Sequence, residues 1–227
     1  MKNKNIILIF ALLISIVRNA QKATLFIGAT AHLGNGEVIK NSAISLLNGR
    51  FELVADASLI RIDPSAFDTI YKLYGKHIYP SFIVPNTTLG ITEIDAVRAT
   101  KDFRETGGLN PNIRTLIAYN ADSKVIRTVR TNGVLIAQVT PRGGLISGQS
   151  SVMHLGGWNW EDAVIKMDDG IHLNWPNTIN PGRWWLGESA KPNKKYAATI
   201  VTIADYIASA KNYLPKSTSP KNLELEA

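Results

Sequence analysis

The sequence predicts an α/β protein in which a small β-unit is followed by a sheet with crossover helices. Two patterns lead to this prediction. Short apolar runs separated by Gly and Asn turns fill the chain up to about residue 60, and strand–helix–strand alternation follows Pro80. Hydrophobic residues make up 45% and charged residues 19% of the 227 residues, as in ordinary globular chains with a sizeable core.

Residues 1–20 are predicted to be a signal peptide. Two lysines precede an apolar run over Ile6–Val17, which is shorter than the roughly 20 residues that a membrane-spanning helix needs. Cleavage after Ala20 would leave Gln21 at the N-terminus, in the periplasm or outside the cell. Arg18 departs from the small residue preferred near a cleavage site, so an uncleaved membrane anchor is the alternative.

Residues 21–79 are predicted to form a small β-unit. Glycine and asparagine tolerate the positive φ of tight hairpin turns. A unit with so few strands cannot bury both faces of its sheet, so it is expected to need residues from elsewhere in the chain. The predicted strands are Thr24–Ala31, Val38–Leu47 and Phe51–Ala55, and the turns are Gly34-Asn35-Gly36 and Asn48-Gly49.

Residues 80–227 are predicted to alternate between strands and helices. Their periodicity, the possible cap at Ser123 and the stop at Gly133 favour a βαβ crossover with helices on both faces of the sheet. The predicted strands are Phe82–Val84, Ile113–Tyr119 and Val134–Val139. The predicted helices are Ile94–Arg104, Ser123–Thr131, Asn159–Met167 and Tyr196–Leu214, followed by a loop at Lys216–Pro220 and a further element from Lys221.

Composition excludes several kinds of chemistry. The chain has no cysteine, which excludes disulfides, thiolate metal ligands and a cysteine nucleophile. Its four histidines lack the i, i+2 or i, i+4 spacing of metal ligands, so hydrogen-bonding roles are expected. The net charge is +7, but the basic residues form no dense run, so no nucleic-acid partner is predicted.

Three further features have both a functional and a structural interpretation. Arg142-Gly143-Gly144 could bring backbone N–H groups to an anion, although a loop requirement is favoured. The five tryptophans could stack on a sugar, although packing beneath loops is favoured. The neighbouring acidic pairs Glu161-Asp162 and Asp168-Asp169 are expected to point apart and to lie on a solvated helix edge.

Two segments resemble the N-terminal part of the amidohydrolase superfamily, especially its imidazolonepropionase-like secreted branch. The first runs Gly28-Ala29-Thr30-Ala31-His32, with Gly34-Asn35-Gly36 after it. The second, Gly75-Lys76-His77-Ile78-Tyr79-Pro80-Ser81-Phe82-Ile83, resembles the segment that leads into the first barrel strand of that family. The likeness covers most of residues 23–85.

The resemblance implies a β-sandwich segment at 21–79, the first part of a (β/α)8 barrel at 80–227, and a metal-dependent hydrolase of C–N bonds. Such enzymes hold zinc or another divalent metal with a His-x-His pair after the first strand, where this chain has Asn86 and Thr88. No metal or other cofactor is therefore expected in this chain. Residues 80–227 have room for about half of a barrel of roughly 250 residues. The chain is thus expected to be an inactive N-terminal portion of an amidohydrolase-like protein.

The residues at the C-terminal ends of the predicted strands are the candidates for substrate binding, because such barrels place their sites there. They are Asn86, Thr88, Asn120, Gln138 and Thr140; no catalytic residue is assigned. The expected partner is a small-molecule substrate or ligand, without nucleic acid and without stable membrane insertion. The alternatives are an exported, non-catalytic protein that binds a sugar-like ligand, and a fragment that self-associates or requires a complementary chain.

Overall fold

The computed structural model describes residues 23–213 and 221–227. The predicted signal peptide and the predicted loop at 216–220 lie outside the described residues. Among the described residues, those up to Pro80 form one compact unit and those from Ser81 onward form a second.

The first unit is a five-stranded sheet with β1 at its centre. β1 pairs antiparallel with β2, which pairs with β3, and it pairs in parallel with β4 and β5. Asn48 and Gly49 have φ of 52° and 76°, so the turn between β2 and β3 uses the left-handed conformation that the sequence predicted. The strands are β1 (Ala23–His32), β2 (Val38–Leu47), β3 (Arg50–Asp56), β4 (Thr69–Lys72) and β5 (His77–Ile78).

The second unit is built around a four-stranded sheet in the order β6-β7-β8-β9. Its strands are β6 (Phe82–Thr87), β7 (Val134–Val139), β8 (Ile146–His154) and β9 (Val164–Leu173). Its helices are α1 (Thr115–Ala118), α2 (Lys124–Thr131), α3 (Trp160–Ala163), α4 (Tyr196–Lys211) and α5 (Leu223–Glu226), and a short pair joins β10 (Ile179–Asn180) to β11 (Lys191–Pro192).

The mixed α/β class is confirmed, and so is the crossover between the first two strands of this sheet. β6 and β7 pair in parallel with α2 between them. The next strands reverse direction, because β7–β8 and β8–β9 are antiparallel. The described part of the sheet therefore has one parallel pair, and the succession of parallel strands typical of a (β/α)8 barrel does not continue beyond Val139.

The helix predicted at Ile94–Arg104 is wrong. Only a short 3-10 turn at Arg98–Thr100 forms there. The Thr100 hydroxyl donates to the carbonyl oxygens of Ile94 and Val97 at 3.0 and 2.9 Å, and such local bonds compete with helical ones. Ile94 is also 57% exposed, so no buried apolar face supports a helix.

The strand predicted at Ile113–Tyr119 is wrong as well, because this run contains the single helical turn α1. The turn buries Leu116 and Tyr119, three residues apart, while Ile117 remains exposed. A short apolar run does not reveal its own period, so helix and strand could not be distinguished from the sequence. The predicted helix at Asn159–Met167 is likewise only α3, and β9 begins at Val164.

The helices α1 to α3 pack on one face of the sheet in a single hydrophobic core. The core also receives alternate residues of β7 and β8, as expected for strands with one face buried. Its buried members are Leu89, Ile91, Leu116, Tyr119, Ile126, Ala137, Val139, Met153, Leu155 and Ala163. No helix within the described ranges has the length and apolar character needed to cross a membrane.

Tyr119 makes the stability of this core depend on pH in the alkaline range. Burial raises the pKa of its phenol from 10.0 to about 12. Unfolded chains lose this proton first as the pH rises above 10, so the free energy of unfolding should fall between about pH 10 and 12 by about 2 kcal/mol. We expect Tyr119→Phe to remove this part of the alkaline loss. Urea unfolding of both proteins at about pH 8 and pH 11 measures it, and an equal alkaline loss in the two would contradict it.

Candidate functional site

The other face of the second sheet carries a set of hydrogen-bonded polar side chains, here called the polar cluster. It lies at the carboxyl ends of β6 and β7, and it includes residues from all four strands and from the loop after β7. Its hydrogen-bonded members are Asn86, Gln138, Arg142, Ser150 and Asp169. His172 is included because the charges of Arg142 and Asp169 act on its imidazole. Gln138 stands between the core residues Ala137 and Val139, so strand alternation directs its side chain away from the core.

Arg142 and Asn86 form the first contact of the cluster. The Arg142 guanidinium donates to Asn86 Oδ1 at 2.7 Å and to the Asn86 carbonyl oxygen at 2.6 Å. Asn86 has a φ of 52°, an unusual conformation for a residue other than glycine. The two bonds from Arg142 compensate the backbone for this conformation and hold the guanidinium in one place.

Gln138 connects Asn86 to Asp169. Its Oε1 accepts from the Asn86 backbone N–H at 3.2 Å, and its Nε2 donates to Asp169 Oδ2 at 2.9 Å. The second carboxylate oxygen, Asp169 Oδ1, is buried without a hydrogen-bond partner among the described residues. A buried acceptor without a donor is costly, so this oxygen is the atom of the cluster most in need of a further contact.

His172 lies beside the two charged members. In the β8–β9 register it pairs with Gly148, and Gly170 pairs with Ser150, so His172 lies on the same face as Ser150. Burial lowers the pKa of the His172 imidazole, and the charge of Arg142 lowers it further, against the opposite effect of Asp169. The imidazole is therefore neutral at pH 7 and can both donate and accept a hydrogen bond.

The neighbouring carboxylates of β9 have different roles. Asp168 has a φ of 45° and forms a bidentate ion pair with Arg114, with distances of 2.7 to 2.9 Å. Asp169 instead joins the polar cluster. The prediction that Asp168 and Asp169 point apart is confirmed. The prediction that they lie on the edge of a helix is wrong, because both residues belong to β9, which has a register shift opposite Ser150.

The structure brings together only some of the predicted site residues. Asn86 and Gln138 belong to the polar cluster. Thr140 is buried, and its N–H donates to the Thr87 carbonyl oxygen at 2.8 Å, so it connects the ends of β6 and β7. Thr88 lies in the turn after β6, where its carbonyl oxygen accepts from the Ile91 N–H.

Asn120 lies in a separate contact. Its side-chain amide donates to Glu93 Oε1 at 3.2 Å, and the Ser123 hydroxyl donates to the other oxygen of Glu93 at 2.8 Å. Ser123 precedes α2 but makes no side-chain capping bond. Asn120 therefore organises the loop before α2 and has no hydrogen bond to the polar cluster.

The side chains of Arg142, Asp169 and His172 are the members that sequence reasoning missed. The sequence indicates Arg142 only through the backbone N–H groups of its loop, and the loop requirement favoured there is confirmed. Gly143 and Gly144 have φ of 93° and 65°, and a Cβ on Gly144 would lie 2.7 Å from the Gly108 carbonyl oxygen. The signal that could have found Arg142 is a cationic side chain directly after a buried strand.

The tryptophans contradict one expectation from the sequence, and two histidines confirm another. Trp158, Trp175 and Trp185 are 88%, 59% and 65% exposed, so the favoured packing beneath loops is wrong for these three. The hydrogen-bonding role expected of the histidines is confirmed for His32 and His77, whose Nε2 and Nδ1 are 3.0 Å apart. The parallel pairing of β1 with β5 brings these two rings together.

The structure is similar to the crystal structure of an amidohydrolase from Thermotoga maritima MSB8. The TM-score is 0.72 and the sequence identity 24%, over 89% of this chain and 54% of that chain. This chain thus spans about half the length of that protein, and at this identity the similarity shows a common fold. A. niger ochratoxinase matches over 34% of this chain and 18% of its own at 15% identity, with a TM-score of 0.28 that is too low to bear on the fold. No protein-family model and no curated protein matches the sequence.

Proposed function

We propose that this chain is an amidohydrolase-like protein whose polar cluster binds a small amide-containing molecule without metal-dependent hydrolysis. The observation that carries the proposal is the bond series from Arg142 through Asn86 and Gln138 to Asp169. Ligand sites in related α/β architectures lie beyond the carboxyl ends of strands, and the series lies at that end of β6 and β7. The fold shared with the Thermotoga maritima amidohydrolase supports the C–N substrate class.

The residues at the first-strand positions do not fit a divalent metal. Asn86 and Thr88 offer an amide oxygen and a hydroxyl, whereas zinc prefers imidazole, thiolate or carboxylate. The amide oxygen of Asn86 already accepts from the cationic Arg142, and a second cation beside it would be repelled. No group of three or more potential metal-ligating side chains occurs among residues 23–213 and 221–227.

The cluster has the groups needed to bind an amide. The neutral imidazole of His172 can donate to an amide oxygen or accept from an amide N–H. The Gln138 side chain bonds to Asn86 at one end of its amide group and to Asp169 at the other, and so keeps both residues in place. Partly buried and mutually bonded polar groups are pre-organised, which lowers the entropic cost of binding.

Gln138→Met tests this proposal because it keeps the length of the side chain and removes its bonds to Asn86, Asp169 and Ser150. We expect the variant to bind N-acetylglycine, a small amide, at least about tenfold more weakly than the parent chain in isothermal titration calorimetry. Gln149→Met is the matched control: Gln149 is on the adjacent strand, and its side chain makes no bond to the cluster. Unchanged binding in Gln138→Met, or an equal loss in both variants, would contradict the proposed site.

Further proposals concern the whole protein. We propose that the chain is exported, on the basis of the basic and apolar residues before Gln21. We also propose that it belongs to the imidazolonepropionase-like branch, on the basis of the two segments within 23–85 that resemble it. A partial (β/α)8 barrel is a further proposal, supported by the parallel pair β6–β7 with α2 between its strands. Association with a complementary chain is another, since this chain matches 54% of the Thermotoga maritima chain.

A further inference from the structure

Two histidines of the first unit meet at one end of its sheet. His32 is the last residue of β1, and His77 is the first residue of β5, which pairs in parallel with β1. Their Nε2 and Nδ1 atoms are 3.0 Å apart, although the two residues are 45 positions apart in the sequence. A hydrogen bond between two imidazoles requires a free lone pair on one of them. At least one ring is therefore neutral, which is the form that binds a metal ion.

Strand pairing and a stacked tyrosine hold the two rings close together. The Thr30 N–H donates to the carbonyl oxygen of Lys76 at 2.9 Å, and this bond fixes the start of β5 against β1. The Tyr79 ring stacks on the His32 imidazole, with centroids 4.2 Å apart and 9° between the ring planes. A contact that fixes the orientation of a ligating histidine supports metal binding. Ligands that are already close together also lose less conformational freedom when a metal ion binds.

We propose that His32 and His77 form a binding site for a divalent transition metal ion, with copper(II) bound most tightly. Imidazole nitrogens are suitable ligands for copper, nickel and zinc, and copper(II) has the highest affinity of this series. Metal–nitrogen bonds of about 2.0–2.1 Å place two neighbouring ligand nitrogens about 2.9–3.4 Å apart. The separation of 3.0 Å between the two imidazole nitrogens falls in this range.

Metal binding requires only local changes in the two side chains. The proton shared between the rings moves to the other ring nitrogen of the donor histidine, which leaves a lone pair on each of the two facing nitrogens. Each ring then turns about its Cβ–Cγ bond, a torsion with broad minima, until both lone pairs point at the metal. His77 is exposed and His32 half-buried, so solvent reaches the pair.

The pair supplies two ligands, which leaves open positions on the metal. In the part of the chain that the structure describes, no third histidine or carboxylate completes a larger group. Water or atoms of a bound molecule therefore occupy the remaining positions, as in metal sites that exchange ligands. The pair belongs to the first unit, whereas Asn86 and Thr88, which do not fit a metal, belong to the second.

Titration of the full chain with copper(II) tests the inference. We expect electron paramagnetic resonance to show one equivalent of copper coordinated by two imidazole nitrogens. His77→Gln should weaken copper binding at least about tenfold in isothermal titration calorimetry, because a neighbouring second ligand acts at high effective concentration. His154→Gln is the matched control. His154 belongs to the second unit, where its Nε2 is 2.8 Å from the Asp162 carbonyl oxygen, so this variant should bind copper as the parent chain does.

His32→Gln is an independent second variant, since removal of either ligand should give the same loss. Unchanged copper affinity in His32→Gln or in His77→Gln would overturn the inference. An equal loss in His154→Gln would also overturn it. A resonance spectrum without two imidazole nitrogens would do the same, because it would identify adventitious binding at the N-terminal amine or at carboxylates. None of these results bears on amide binding by the polar cluster, which is measured separately with N-acetylglycine.

Discussion

Gly148→Ala is expected to destabilise the second unit by at least about 3 kcal/mol and to abolish ligand binding at the polar cluster. Gly148 has a φ of +128°, which side chains other than glycine rarely adopt. A Cβ at this position would lie 2.5 Å from the carbonyl oxygen of Ile113, and that backbone atom cannot rotate away. The register also pairs Gly148 with His172, so any shift of β8 displaces a member of the cluster.

A matched glycine separates the steric part of this effect from the conformational part. Gly187 has a φ of +70°, but a Cβ there would meet nothing within 4 Å. Gly187→Ala should therefore cost only the strain of the left-handed conformation, about 1–2 kcal/mol. Comparable losses in the two variants would show that the contact with Ile113 is not the cause.

Tryptophan fluorescence is a suitable measurement for both variants. All five tryptophans fall within residues 158–185 of the second unit, so urea unfolding followed by this signal reports on that unit. Binding of N-acetylglycine is measured on the same preparations. A Gly148→Ala protein with the parent's unfolding midpoint and affinity would contradict the expected role of this glycine.

Leu116→Ala is expected to lower the free energy of unfolding of the second unit by about 2–5 kcal/mol. Leu116 is 1% exposed in the core beneath the sheet, and truncation loses burial and leaves a cavity. The adjacent Ile117 is 69% exposed, so Ile117→Ala should change stability by no more than about 0.5 kcal/mol. α1 supports the sheet face opposite the polar cluster. Leu116→Ala should therefore reduce the free energy of ligand binding by less than it reduces the free energy of unfolding.

The pair Leu116→Ala and Ile117→Ala also tests the assignment of α1. The two residues have similar side chains and are neighbours in sequence, so intrinsic propensity cannot produce a difference of this size. Their unfolding midpoints in urea are the measurement. Equal destabilisation by the two substitutions would indicate that this segment does not bury one side only, in disagreement with the described turn.

Sequence reasoning predicted best where local chemistry decides the conformation. Asn48-Gly49 required a hairpin turn, and β2 and β3 lie on either side of it. The helix Tyr196–Lys211 and the strand Val134–Val139 follow from length and apolar pattern. Each of these elements is specified by neighbouring residues, so no knowledge of the rest of the chain was needed.

Only the tertiary structure determined whether the short segments became helices, strands or turns. Leu116 and Tyr119 become buried because α2 and the sheet cover them, and their segment alone is compatible with a strand. Thr100 ends a helical pattern by bonding to the carbonyl oxygens before it. In both cases, contacts made in the folded state outweighed propensities that differ by less than about 1 kcal/mol per residue.

The residues of the candidate site were likewise only partly predictable from the sequence. The sequence by itself pointed to Asn86 and Gln138, because strand ends can be recognised from apolar runs. It could not indicate that Arg142 contacts a residue 56 positions earlier, or that Gln138 contacts Asp169 at a separation of 31. Those contacts depend on strand register, and a shift of one residue in β9 would turn Asp169 to the opposite face. Register is set by the packing of the whole sheet, so the chemistry of the site became visible only in the folded chain.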